Sequence, residues 1–210
     1  MRDRPTWDTI AAYDAMAAVY ATRWFGVRLT REMARFVRCL NPGARVLDVG
    51  CGPGQDLVWL TEQGFDAVGV DLSLGMLAEA RKCGIEVPLI RADMRDLPFR
   101  SGSFGGIWAS ASLLHIPKAE AEGVLRELAR TVRPGHVYLS VKRGWGETWV
   151  ERQDVRRRFF AYYAPVEIRR LVEHAGFEVL SCWESEDLAG REHSWINVLA
   201  QCGIRAPIQI

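Results

Sequence analysis

Residues 46–56 read Val46-Leu47-Asp48-Val49-Gly50-Cys51-Gly52-Pro53-Gly54-Gln55-Asp56. The first four form a short apolar run carrying one acid, the pattern of a strand buried on both faces. The rest breaks into three glycines spaced two apart, with a proline among them. Glycine lets a backbone turn sharply and lets a ligand approach with no Cβ in the way. In an open parallel sheet, ligands bind beyond the carboxyl ends of the strands, where strand order switches direction. The stretch therefore predicts the first strand of an α/β sheet, ending at a ligand loop.

Strands and helices alternate outward from it. Strands are expected at Arg45–Val49, Asp66–Val70, Val87–Arg91, Phe104–Ser110 and Val137–Lys142. Helices are expected at Gln55–Gln63, Leu74–Lys82 and Lys118–Val132. This order predicts a parallel sheet with helices on both faces. The end differs: a helix at Pro165–His174 precedes two strands, Phe177–Ser185 and Ser194–Gln201, with only a polar loop between them. Such strands pair as antiparallel neighbours if they lie side by side. At the front, Trp7, Ile10, Ala11, Asp14, Ala17, Ala18 and Ala21 recur at helical spacing. Leu29, Met33, Phe36, Val37 and Leu40 repeat it, and Asn41-Pro42-Gly43 is a stop signal. The expected organisation is one domain over 1–210, with N-terminal helices over 1–42, a core over 43–143, and a lid, helix and terminal hairpin over 144–210. Gly144–Phe160 (GWGETWVERQDVRRRFF) reads as an excursion over the site, with Arg156-Arg157-Arg158 as a solvated helix face.

Composition narrows the function. The chain has 210 residues and a net charge of +1, so no broad field draws it to nucleic acid or an anionic membrane. Its five cysteines are scattered and form no CxxC pair, which fits free thiols in a reducing cytosol. His115, His136, His174 and His193 form no local ligand cluster, so no metal is expected. The start, MRDRPTWD, leads into no apolar segment of a signal peptide, and no uncharged apolar run would cross a bilayer. The expectation is a cytoplasmic protein, a monomer or homodimer.

Three features narrow the ligand. The spacing is GxGxG rather than GxGxxG, and Gln55 stands where the dinucleotide fingerprint wants its third glycine. Asp71 ends the second strand, where an acid accepts both hydroxyls of a ribose. Ala92-Asp93-Met94 follows the third strand, where an acid and a backbone amide suit the edge of an adenine ring.

VLDVGCGPG (Val46–Gly54), VDLS (Val70–Ser73), ADMRDLPF (Ala92–Phe99), Leu114-His115 and Arg133-Pro134-Gly135 stand in one register. In order and spacing they resemble the Rossmann-like, class I S-adenosylmethionine-dependent methyltransferases, closely over residues 44–143. The resemblance implies a three-layer α/β/α fold: a mostly parallel seven-stranded sheet with an antiparallel C-terminal strand. It implies S-adenosylmethionine as cofactor and S-adenosylhomocysteine as product. Carried over position by position, Gly50, Cys51, Gly52 and Gly54 would form the loop against the cofactor's methionine part. Asp48 would orient that loop and reach the methionine amine directly or through water. Asp71 would hold the ribose and Leu72 the adenine. Asp93 would accept from the adenine amine, the Met94 amide would meet the ring, and the Ala109 carbonyl would accept from the methionine amine. Tyr13 and Tyr20 would close over the cofactor from the N-terminal helix, Tyr20 toward the carboxylate. The sequence departs from the family at Phe104-Gly105-Gly106, where an acid usually follows the Phe, and at His136, where the turn usually carries a second glycine.

The acceptor is less legible. Methyl transfer from a sulfonium is an in-line displacement in which positioning supplies much of the acceleration, and a base is needed only if the acceptor arrives protonated. His115 is the candidate base; packing, or capping of the next helix, is the competing reading. Lys142 and Arg143 end the fifth strand and either bind an acidic substrate or form a solvated strand end. Trp24, Trp145 and Tyr162 are candidate substrate walls, alongside Phe25, Trp149, Phe160 and Tyr163, with core or lid packing as the alternative for each. No (N/D)PP(Y/F) segment follows the fourth strand; Ala109–Leu114 stands there. A small-molecule O- or N-methyltransferase is therefore favoured over one acting on nucleic acid or protein. The alternatives are a cofactor-binding protein without transferase activity and a nicotinamide-dependent oxidoreductase.

Overall fold

The computed structural model describes residues 4–152, 155–187 and 194–203; His193 and the side chain of Arg156 lie outside what is described. Helix α1 (Arg4–Trp24) and helix α2 (Thr30–Val37) come first. Then follow β1 (Arg45–Val49), α3 (Gln55–Glu62), β2 (Asp66–Asp71), α4 (Leu74–Lys82), β3 (Leu89–Arg91) and β4 (Gly106–Ser110). A single 3-10 turn (Leu113–His115) leads to α5 (Lys118–Val132) and β5 (Gly135–Lys142). The chain ends with β6 (Glu147–Arg152), β7 (Val155–Ala161), α6 (Pro165–His174), β8 (Glu178–Ser185) and β9 (Trp195–Cys202).

Seven strands form one sheet in the order β3-β2-β1-β4-β5-β9-β8. Strands β1 to β5 run parallel, and β9 pairs antiparallel to both β5 and β8. This is a Rossmann-like arrangement, a mostly parallel sheet in which β9 runs antiparallel. Strand order reverses at β1, whose neighbours are β2 and β4, so the glycine loop leaves the sheet at its switch point.

Side-chain alternation sorts the core into two layers. Leu47, Val68, Ile107 and Val137 line up across the sheet and pack under α5 and α6. Val46, Ala67, Trp108, Tyr138 and Leu199 face α2, α3 and α4. On that face the Trp108 and Tyr138 rings stack at 3.9 Å and 11°. Gly106 lies beneath α2; a Cβ there would meet Phe36 and Leu40 at 2.8–2.9 Å. The glycine at the start of β4 is thus a packing requirement of this chain.

One segment differs from the sequence reading. Glu147–Arg152 and Val155–Ala161 pair antiparallel as the β6–β7 hairpin, so Arg156-Arg157-Arg158 lies on a strand rather than a helix. The hairpin holds α1 across the ends of the strands. Thr9 Oγ1 accepts from the Phe159 amide at 2.9 Å, and Arg157 pairs with Asp8 at 3.0 Å. Further along α1, Asp14 Oδ1 accepts from Ser73 Oγ (2.6 Å) and the Gly75 amide (2.8 Å) at the start of α4. Gly75 permits this approach, since a Cβ there would meet the Asp14 Cα at 2.9 Å. Among the described residues no helix is long and apolar enough to cross a membrane, and no group of three or more His, Cys, Asp or Glu could hold a metal ion.

Candidate active site

A cavity of about 400 Å³ lies between α1 and the carboxyl ends of β1, β2, β4 and β5. That volume is in the range of small-molecule sites. Its floor is the loop that follows β1. The Gly50 and Cys51 amides donate to the Val70 carbonyl at 2.8 and 3.0 Å, and the Gly52 amide donates to Asp71 Oδ2 at 2.9 Å. Gly50 has φ +77°, and a Cβ on it would lie 2.5 Å from the Ser112 Cβ. Gly52 has φ +55° with nothing within 4 Å of its would-be Cβ. The loop therefore needs glycine once for close packing and leaves open space at the second.

Three acids gather at this end. Asp48 is 2% exposed, and its Oδ2 has no hydrogen-bond partner. Burial raises its pKa well above the usual carboxylate range, and Asp56 and Asp71 raise it further. Asp56 on α3 accepts from the Trp108 indole at 2.8 Å; burial lifts its pKa to about 6, against the pull of that bond and of Arg28. Asp71 is also raised by burial, countered by the Ser73, Gly52 and Leu72 amides. The Oε1 of Gln55 is a second buried acceptor without a partner. Such an end is short of positive charge and of donors.

Beyond β3, Asp93 is held by Arg95 through Nη2 at 2.7 Å and through Nε and the backbone amide at 3.0 Å each. Arg95 also reaches Glu120 at 2.6 Å. Ala92, Asp93, Met94, Leu72 and Asp71 all line the cavity.

At the opposite end, His115 Nδ1 lies 2.8 Å from the Phe159 carbonyl and Nε2 lies 2.7 Å from the Tyr13 hydroxyl. A carbonyl only accepts, so Nδ1 carries the hydrogen and Nε2 of the neutral ring accepts from Tyr13. Burial, together with Arg158 and Lys142, pushes the His115 pKa down to about 3. Arg158 Nη1 donates to the Tyr13 oxygen at 3.2 Å, and its guanidinium carbon lies 5.2 and 5.3 Å from the Tyr13 and Phe160 ring centroids. Lys142 is only 8% exposed, with Nζ 4.2 Å from the Phe160 centroid and 6.0 Å from that of Trp195.

Of the residues singled out by sequence, Tyr13, Tyr20, Trp24, Asp48, Gly50, Cys51, Gly52, Asp71, Leu72, Asp93, Met94, His115 and Lys142 line this one cavity. Four do not. Trp145 is 84% exposed, outside the cavity. Tyr162 packs against the core behind Phe160. Gly54 caps α3 with φ +87°. Ala109 is buried within β4; the wall beyond it is Ser110, Ala111 and Ser112. Lys142 is not a solvated strand end, whereas Arg143 lies outside the cavity and pairs with Glu184 at 3.2 Å.

Sequence reasoning missed Arg158, Asp56 and Ala111. Strand alternation in Val155–Ala161 would have set Arg158 and Phe160 on one face, had the hairpin been recognised. Ala111 has φ +52°, a left-handed conformation that costs a non-glycine residue roughly 1–2 kcal/mol. Its amide is held by Ser140 Oγ at 3.0 Å. No local signal marks it.

Residues 46–135 match the family model described as a methyltransferase domain. A methyltransferase of Streptomyces halstedii is 37% identical over 117 residues, covering 52% of this chain and 41% of that protein. The demethylmenaquinone methyltransferase of Beutenbergia cavernae is 37% identical over 108 residues, 51% of this chain and 44% of that protein. The chain thus spans less than half the length of these two relatives. Among solved structures, the Burkholderia thailandensis 1,6-didemethyltoxoflavin N1-methyltransferase, with 1,6-didemethyltoxoflavin and S-adenosylhomocysteine bound, superposes with a TM-score of 0.76. Identity is 19%, and the match covers 97% of this chain and 92% of that one. In its seven-stranded order, the glycine loop at the switch point and the matched segment 46–135, the chain is similar to methyltransferase domains.

Proposed function

We propose that the protein transfers a methyl group from S-adenosylmethionine to an O or N atom of a small molecule. The observation that supports this most is the unpartnered Asp48 Oδ2 beside Asp56 and Asp71 at the glycine loop. S-adenosylmethionine carries an ammonium and a sulfonium, the charge and donors that this end lacks. The fit extends along the cavity. Asp71 has lone pairs left for a ribose, and Leu72 and the Met94 amide suit the adenine. Asp93, already gripped by Arg95, has less capacity for the adenine amine than its position alone suggests. Burial raises the Tyr20 pKa, which keeps its hydroxyl a donor for the methionine carboxylate. When bound, the cofactor supplies the activated methyl; the chain orients it and shields it from water beneath α1.

The two ends of the cavity favour a small acceptor, because α1 and the hairpin roof it. A relative that acts on a demethylmenaquinone and a fold neighbour that acts on 1,6-didemethyltoxoflavin are consistent with this class. The test is calorimetric titration with S-adenosylhomocysteine, followed by a screen of acceptors with labelled S-adenosylmethionine. Micromolar binding that weakens at least tenfold in Asp48→Asn supports the reading. No binding by the wild type refutes it.

A further inference from the structure

We propose that the acceptor binds as an anion, its negative group on the Arg158 guanidinium, and that His115 is a neutral wall of this subsite rather than a base. The inference rests on the methyltransferase reading and adds the class of acceptor: a small aromatic carboxylate or an equally acidic ring.

The cavity is polarised. Asp48, Asp56 and Asp71 face one end, and Arg158 and Lys142 face the other. Arg158 follows Arg157 directly, yet the two differ in partners. Arg157 points outward to Asp8 at 3.0 Å. Arg158 points inward, and among the described residues no carboxylate lies within ion-pairing distance of it. It is anchored by one bond to Tyr13 and by the faces of Tyr13 and Phe160. A guanidinium has five N–H donors in a planar fork that matches a carboxylate, so this anchoring leaves donors for a ligand. The flanking rings of Tyr13, Phe160 and Trp195 suit a flat, apolar frame. Two acids also line this half: Asp187, whose Oδ2 accepts from the Trp195 indole at 3.1 Å, and Glu186.

His115 fits the same assignment. Both ring nitrogens are engaged, one donating to Phe159 and one accepting from Tyr13. A proton taken up there would sit beside two cations in a buried place. An acceptor that arrives deprotonated has no need of a base. Its lone pair attacks the methyl carbon, the carbon–sulfur bond breaks toward sulfur, and the anion and sulfonium become a neutral methylated product and a thioether. No proton moves.

The test uses the wild type saturated with S-adenosylhomocysteine and two matched pairs: benzoate against benzamide, and 2-naphthoate against 2-naphthamide. Binding is read by calorimetry and by quenching of tryptophan fluorescence. Each carboxylate should bind at least tenfold tighter than its amide. That preference should fall below threefold in Arg158→Gln and return in part in Arg158→Lys. The S-adenosylhomocysteine affinity should change less than threefold in both variants, which also reports that they are folded. Equal binding of acids and amides, binding of neither, or an unchanged preference in Arg158→Gln overturns the inference while leaving the methyltransferase reading intact. A tenfold loss of S-adenosylhomocysteine affinity in Arg158→Gln overturns it too, by assigning the guanidinium to the cofactor's own carboxylate. Failure of the wild type to bind S-adenosylhomocysteine refutes both.

Discussion

Removing the Asp71 carboxylate tests what holds the glycine loop in place. One oxygen accepts from the Gly52 amide at 2.9 Å and the other from the Ser73 amide at 2.8 Å. These bonds tie the end of β2 to the loop after β1 and to the start of α4. In Asp71→Ala both amides lose their acceptor: the buried Ser73 amide left unmade costs about 1–3 kcal/mol, whereas the half-buried Gly52 amide, which lines the cavity, can turn to water. Part of this is returned, because burial makes the ionised carboxylate less favourable in the fold than in water. A net loss of about 1–3 kcal/mol for the ligand-free protein follows. For a chain of this size that is a fall in Tm of roughly 2–12 °C. Asp71→Asn keeps one acceptor but turns a donor toward the second amide, so it falls in the same range. Amide hydrogen exchange localises the effect: Gly52 and Ser73 should exchange roughly 5–150-fold faster. S-adenosylhomocysteine affinity should fall by more than tenfold. A variant whose ligand-free Tm and amide exchange match the wild type, with only affinity lost, would refute the reasoning and leave Asp71 as a ligand contact alone.

Gly50→Ala places a side chain at φ +77° and against Ser112, so about 1–2 kcal/mol of backbone strain and a tenfold or greater loss of S-adenosylhomocysteine affinity are expected by calorimetry, with circular dichroism unchanged. Trp108→Phe leaves Asp56 Oδ2 without its 2.8 Å donor at a cost of about 1–3 kcal/mol, measured by urea unfolding; an unchanged midpoint would show that the indole bond contributes nothing. The Asp56 pKa of about 6 lies above its unfolded value, so the stability of the ligand-free protein should fall as pH rises from about 4 to about 6 and then level. A bound ammonium favours the ionised acids, so S-adenosylhomocysteine should bind more tightly as pH rises through 6 and should release protons, read from calorimetry in two buffers of different ionisation enthalpy.

What the sequence determined by itself is local. The period-two and period-3.6 patterns set most elements of the sheet and its helices to within one or two residues, because burial of one face is written into neighbouring positions. The spacing of Gly50, Gly52 and Gly54 located the switch point, since a turn of that tightness depends on the residues that make it. Asp48 and Asp71 were legible for the same reason, each standing at a strand end beside that loop. What only the tertiary structure decided depends on docking between distant segments. Tyr13 and His115 are 102 residues apart, and their bond exists because α1 is clamped by the β6–β7 hairpin. The hairpin register turns Arg158 inward and Arg157 outward, and no composition of the segment Arg156-Arg157-Arg158 distinguishes them. The same docking carries Trp145 out to solvent and draws Lys142 beneath Phe160. A side chain's alternation is a property of its own strand, whereas the partner it meets belongs to the packing of the whole chain.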